Sequence, residues 1–183
     1  IAELAELNGL ENLYFYVDEI GNATFLDYPV VNNIPTQANC VLAIGNNKTR
    51  KKLAAENAFN FKSLQHPSCT ISKRSNLGLG TVVMAGVSIN AMTHIGNHCI
   101  VNTNASIDHD CIIGDFVHIS PNVALAGNVS VGEGTHVGIG AAVIQGVKIG
   151  RWCTIGAGAV VIRDVPDGAT FVGNPAKELK KKS

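Results

Sequence analysis

The sequence predicts a mainly β protein built on a parallel β-helix and preceded by a small α/β unit. Three observations carry that reading. From Ile71 every sixth residue is aliphatic, through Leu77, Val83, Ile89, Ile95 and Val101 and on to Val161, with no slip or insertion. The position four residues later is small or β-branched throughout, from Ser75 and Thr81 to Ala159 and Val165. A six-residue period fits neither a helix nor ordinary strand alternation; it marks a coil in which each hexad supplies one short strand and a turn. Ahead of the repeats, an apolar run, a glycine and a basic helical stretch follow one another, which is the unit of an open α/β sheet.

Taken in order, residues 1–7 have helical spacing, and residues 13–17 (LYFYV) read as a strand followed by Asp18 and Glu19. Residues 39–44 (NCVLAI) read as a second, buried strand that runs into Gly45. A helix follows over residues 48–58, with Asn46 or Asn47 available to cap it. Ligands of such sheets sit at the carboxyl ends of strands, here near Asp18, Glu19 and Gly45. A solvated turn is the alternative for Asp18 and Glu19, and spacing leaves both open. The predicted domains are residues 1–62, α/β, and residues 63–183, β-helix. A short chain end follows, with Gly173-Asn174-Pro175-Ala176-Lys177 and a lysine tail, and the tail reads as a frayed, solvated end.

Composition narrows the function. Formal net charge is zero and charged residues are 15%, so neither nucleic acid nor an anionic membrane is implied as a partner. No apolar run approaches the roughly 20 residues of a membrane-spanning helix, and no signal peptide opens the sequence. Of five cysteines, Cys99, Cys111 and Cys153 fall in the small inward column and read as packed thiols; with no CxxC pair, the expectation is a reduced, cytoplasmic protein. Weakly charged flat faces of parallel strands bury against copies of themselves. The expected partner is therefore a second and third copy, as a homotrimer with clefts between prisms.

If three hexads close one triangular coil, residues eighteen apart stack one strand spacing apart, about 4.8 Å. That arithmetic places side chains. His109 lies over Gly127, a base beside an unshielded backbone N–H, and Asp108 and Asp110 flank it. A neighbouring carboxylate fixes an imidazole's tautomer and raises its basicity. His118 stacks on His136, and Ile139 on Ala157. An exposed turn histidine is the plain alternative for His109. A zinc site of the kind γ-class carbonic anhydrases hold between subunits needs two histidines close in one coil and a third two coils away. The spacing of His94, His98, His109, His118 and His136 does not supply this, so no metal is expected. No Ser or Cys sits in a nucleophile elbow.

The run of residues 102–111 (NTNASIDHDC) is similar to the central motif of the PglD/NeuD family of bacterial sugar acetyltransferases. So are residues 114–119 (GDFVHI), 126–129 (AGNV) and 173–177 (GNPAK), while residues 41–52 (VLAIGNNKTRKK) resemble the family's second nucleotide-sugar segment. The resemblance implies a homotrimer of left-handed β-helices with acetyl-CoA, as co-substrate, between adjacent prisms. It implies His109 as general base and Asp110 as the acid that raises its basicity. It implies His118, Ile139 and Ala157 along the acetyl-CoA cleft, the Gly127 N–H on the thioester carbonyl, and Asp18, Glu19 and Gly45 on the nucleotide sugar. Family members begin with a strand and a Gly-rich, histidine-bearing loop that would precede Ile1, and the expectation is that this segment is missing from the sequence given. Three functions stay open: N-acetylation of a UDP-linked 4-amino-4,6-dideoxysugar for glycan assembly, O-acetylation of sialic acid or a related sugar, and a non-catalytic scaffold. The α/β segment favours a nucleotide-linked substrate.

Overall fold

The computed structural model describes residues 1–19, 21–35 and 37–179. Each hexad contributes a strand of two residues. The second points inward: Val83, Val101, Ile119, Val137 and Ile155 on one face, and Ile89, Ile107, Leu125, Val143 and Val161 on another, are all buried. Successive coils pair in parallel eighteen residues on, Ser88 with Ser106, His94 with Ile112 and Ile100 with His118. The result is three parallel sheets enclosing one aliphatic core. We name them the Ser88 face (Thr70–Ile71 to Val160–Val161), the His94 face (Asn76–Leu77 to Lys148–Ile149) and the His118 face (Leu64–Gln65 to Thr170–Val172).

Two features of the hexad make the coil close. The third residue of each four-residue corner is in the left-handed region, at every sixth position without a break from Gly80 (φ 67) through Asn104, Asp110, Asn122 and Asn128 to Gly158 (φ 64). Gly, Asn and Asp tolerate that conformation; Met92, His98, Phe116 and Trp152 occupy it at a cost. The small inward column includes hydroxyls, and these are satisfied by the next coil. Thr81 Oγ1 donates to Gly96 O (2.8 Å) and accepts from Cys99 N (3.0 Å); Thr93 and Thr135 repeat the arrangement with Asp108 O and Cys111 N, and with Gly150 O and Cys153 N. A buried hydroxyl so paired carries little desolvation penalty. Cys99, Cys111 and Cys153 are buried as expected, and burial pushes the Cys99 thiol up to about 12, which makes it an inert packing group.

The segment ahead of the lysine tail extends the coil. Thr170–Val172 adds a further strand to the His118 face, Lys177–Glu178 pairs back on it antiparallel, and Phe171 and Ala176 close the core. Burying a Phe ring stabilises by about 2 kcal/mol, enough to order a short terminal hairpin. The lysine tail beyond Leu179 lies outside the described residues.

The N-terminal part is smaller than its reading. Helix α1 (Ala2–Leu7) buries Leu4 and Ala5 against Leu64 and Val82 on the His118 face. Strand β1 is Phe15–Tyr16 only. It pairs in parallel with β3 (Tyr28–Val31), which forms a hairpin with β2 (Thr24–Phe25). The two loop residues, Leu26 and Asp27, both have positive φ, the type I′ geometry. Leu-Asp carries none of the usual Asn-Gly signal, so sequence patterning missed this hairpin. Strand β4 is Asn39–Cys40; helix α2 spans Asn47–Glu56, capped by Asn46, whose Oδ1 accepts from Thr49 N at 3.0 Å; β5 (Asn60–Phe61) pairs in parallel with β4. The unit is strand, helix, strand, but among the described residues β1–β3 and β4–β5 form separate small sheets rather than one open sheet.

Candidate active site

Corner residues 108–111 connect the Ser88 face to the His94 face. On this edge His109 stands exposed with its ring over Gly127: a Cβ built on that glycine would come within 2.7 Å of His109 Cε1 and Nε2. Only a residue without a side chain leaves the ring this position. The ring is held from its other side, Nδ1 lying 2.7 Å from Asp110 Oδ2. Asp108 is occupied elsewhere, accepting from Asn90 Nδ2 and from His109 N, each at 2.8 Å, so its carboxyl sits below the ordinary range. The hydrogen bond to Asp110, then the nearby charge of Asp108, raise the His109 pKa above its ordinary value. With Nδ1 beside Asp110, Nε2 lies over Gly127 and is the ring nitrogen left able to accept a proton. No acceptor among the described residues takes the Gly127 N–H. A groove of about 490 Å³ runs along the Ser88 face beside this edge, bordered by Asn90, Ser106, Asp108, Ala126 and Gln145. A larger one of about 560 Å³ lies at the base of the coil by Asn8 and His66, away from these groups.

His118 is on the second site-bearing surface, the His118 face. Its ring stacks on His136 with centroids 4.8 Å apart and planes 21° apart. His136 Nε2 lies 2.9 Å from Ser120 Oγ, and His118 Nε2 lies 3.5 Å from Asn102 Nδ2. Burial, then His136, then Arg50 lower the His118 pKa to about 4, while the adjacent Gly45 backbone favours the charged form. Both rings are thus neutral near pH 7. Ile139 and Ala157 sit on a third surface, the corner between the His118 and Ser88 faces, both exposed, with Gly158 N donating to Ile139 O at 2.8 Å.

The sequence-predicted residues therefore form groups rather than one pocket in a single chain. His109, Asp110 and Gly127 are together; Gly45 meets His118; Ile139 meets Ala157; Asp18 and Glu19 are exposed beyond β1. Sequence reasoning missed what holds Gly45 in place. Helix α2 docks on the corner between the His94 and His118 faces through Asn47, Arg50 and Lys51. Asn47 Nδ2 donates to Gly134 O (3.0 Å), and Lys51 pairs with Glu133 and lies over the Trp152 ring. Buried Arg50 reaches two coils, donating to His98 O (2.8 Å) and Phe116 O (2.9 Å). The signal was present in the left-handed column, where His98, Phe116 and Trp152 break a run otherwise suited to Gly. His98 stacks on Phe116 at 5.2 Å, and Gly80 and Gly134 make room for the His98 and Trp152 rings.

A three-faced coil with a carboxylate-held histidine over a glycine on one edge defines a hexapeptide-repeat transferase. Comparison agrees: the bacterial transferase hexapeptide family (six repeats) matches residues 92–127 and 128–163. Among solved structures, the acetyltransferase domain of PglB from Neisseria gonorrhoeae is 38% identical over 97% of this chain and 92% of that one, with a TM-score of 0.92. The same domain in complex with acetyl coenzyme A gives 0.91. PerB from Caulobacter crescentus, in complex with CoA and GDP-perosamine, is 46% identical over 78% of this chain and 70% of its own, with a TM-score of 0.76. WeeI from Acinetobacter baumannii is 28% identical, covering 91% and 85%, with a TM-score of 0.85. Comparison with curated proteins gives no significant match. The chain belongs to the hexapeptide-repeat sugar acetyltransferases of the PglD/NeuD type.

Proposed function

We propose that the protein transfers the acetyl group of acetyl-CoA to the amino group of a nucleotide-linked 4-amino-4,6-dideoxysugar, with UDP as the nucleotide, for bacterial glycan assembly. The single observation that carries the reading is His109 held by Asp110 over the free Gly127 N–H. The similar structures that hold acetyl-CoA, or CoA with GDP-perosamine, support the substrate class.

In this reading the amine lone pair attacks the thioester carbonyl carbon while His109 Nε2 takes a proton from the nitrogen. Asp110 stabilises the imidazolium that forms. The tetrahedral oxyanion accepts from the Gly127 N–H, a donor whose loss costs about 3 to 4 kcal/mol of barrier in comparable sites. The intermediate collapses with cleavage of the C–S bond, and the CoA thiolate leaves, taking up the proton that His109 holds. The chemical step needs proton transfer geometry and charge stabilisation, and His109, Asp110 and the Gly127 N–H would supply both.

The neutral His118–His136 face and the Ile139–Ala157 corner would take acetyl-CoA, and residues 1–62 the nucleotide sugar near Asp18, Glu19 and Gly45. Because these groups lie on different edges, the reading requires a homotrimer in which one protomer's His109 edge faces the next protomer's acetyl-CoA surface. Exposed Ile112, Ile139 and Ile144 supply apolar area for such packing. Five free cysteines support a reducing, cytoplasmic setting, and no helix among the described residues is long and apolar enough to cross a membrane.

The test is CoA-thiol release from acetyl-CoA with a UDP-4-amino-4,6-dideoxysugar, GDP-perosamine and free sialic acid side by side, and light scattering for mass. Turnover with the UDP sugar and a trimer mass support the proposal. Turnover with sialic acid alone moves the protein to O-acetylation, and a monomer that turns over the amino sugar removes the shared cleft.

A further inference from the structure

Arg50 is 1% exposed, and no carboxylate among the described residues neutralises it; its partners are carbonyls and one amide. Burial pulls its pKa below the ordinary value. A buried charge is costly unless every donor is used. Here the fork is filled: Nε to His98 O, Nη2 to Phe116 O (2.9 Å) and Asn47 Oδ1 (2.9 Å), and Nη1 to Ile44 O (2.8 Å) and Gly45 O (3.3 Å). His98 and Phe116 belong to successive coils, so the group staples two coils to the loop ahead of α2. That loop ends at Gly45, whose backbone lies beside the His118 ring. One side chain thus spans the segment assigned to the nucleotide sugar and the surface assigned to acetyl-CoA.

We propose that Arg50 is a positioning residue for the transfer: its guanidinium locks the Gly45 loop onto the coils carrying His118, so that both substrates meet a loop of fixed geometry. The inference rests on the functional reading above for its substrates, but not for the lock itself. It requires the five-donor planar fork, which lysine cannot reproduce. It also separates Arg50 from Lys51, one residue on, which docks the same helix through a part-exposed ion pair and has no bond to the loop.

The experiment compares Arg50→Lys, Arg50→Met and Lys51→Ala with the unaltered protein. Two readouts are used, steady-state kinetics with acetyl-CoA and the UDP-4-amino sugar, and amide hydrogen exchange at Thr49 and Arg50, whose N–H groups are bonded to Asn46 at the end of the loop. In both Arg50 variants the nucleotide-sugar KM is expected to rise about 10- to 100-fold with kcat within about threefold, because a loosened loop weakens binding more than chemistry. Exchange at the Thr49 and Arg50 amides, which are bonded to Asn46 Oδ1 and Asn46 O, is expected to quicken by a similar factor, about 10- to 100-fold, while the β-helix amides stay protected. Lys51→Ala is expected to leave both readouts within about twofold, as a surface ion pair contributes little. Wild-type kinetics and exchange in Arg50→Lys would overturn the proposal, because charge alone would then suffice. Equal effects in Lys51→Ala would overturn it too, because general docking of α2 would explain them. If Arg50→Met does not fold, Arg50→Lys decides. If the unaltered protein turns over no nucleotide sugar, the functional reading fails, and exchange at Thr49 and Arg50 still decides the lock.

Discussion

His109 and His118 are nine residues apart in one repeating coil, yet their surroundings drive them in opposite directions. His109 stands on a corner, exposed, with a carboxylate on Nδ1 and no side chain beneath its ring, and its pKa is raised. His118 lies on a flat face, half-covered by the Gly45 loop and stacked on a second imidazole, and its pKa falls to about 4. The same scaffold therefore makes a base on an edge and a neutral, polarisable surface on a face. What decides is the partner each position meets: hydrogen bonding to the charged form against desolvation of it.

The most severe break of this contrast is His109→Ala. A fall of about 10²- to 10⁴-fold in kcat is expected, with the melting temperature held, since the ring is exposed. His118→Ala is expected to act mainly on the acetyl-CoA KM, and kcat losses as large as those of His109→Ala would reverse the assignment of roles.

Gly127→Ala is the next largest. The new Cβ would occupy space within 2.7 Å of the His109 ring. The ring is the free end of an exposed side chain, so it swings away at small cost in stability while the geometry is lost. A roughly 10²-fold loss of kcat with little change in thermal melting is expected.

Asp110→Asn tests the cause of basicity. A general base works when deprotonated, so the rising limb of kcat/KM against pH follows the His109 pKa. Removing the carboxylate that raises that pKa moves the limb to lower pH, and turnover on the plateau is expected to fall about 10-fold as the base weakens. A limb that stays in place would mean that Asp108, the other carboxylate acting on His109's charge state, dominates.

The smallest expected effect is on stability. The folded protein holds His118 neutral down to about 4, whereas an unfolded histidine titrates near its ordinary 6.5. Between those values the unfolded chain binds more protons, so stability is full above pH 6.5 and is lost as pH falls towards 4. Thermal melts across that window are expected to show a decline that flattens in His118→Gln.

The coil and its stacked pairs were legible because a repeat scaffold is nearly one-dimensional. Each residue's neighbour above and below is set by a constant offset, so His109 over Gly127, His118 on His136 and Ile139 beside Ala157 follow from counting. A cap at Asn46 or Asn47 followed from local chemistry, and the structure places it at Asn46. The hairpin at residues 24–31 did not, because its Leu-Asp turn carries no preferred residue type. The docking of α2 did not either, because Arg50 binds carbonyls, which every residue possesses and no pattern marks.

The sequence alone determined the hexad, the core column, the inert inward cysteines and the histidine flanked by aspartates over a glycine, all of them consequences of fixed spacing. Only the tertiary structure decided that the N-terminal strands form two small sheets, that the chain end caps the core, and that Arg50 fastens the Gly45 loop beside His118. It also decided that the predicted site residues lie on separate edges of one prism. Those outcomes depend on which surfaces meet, and the free energy of such meetings comes from desolvation and hydrogen-bond geometry between segments far apart in the chain, which periodicity does not encode.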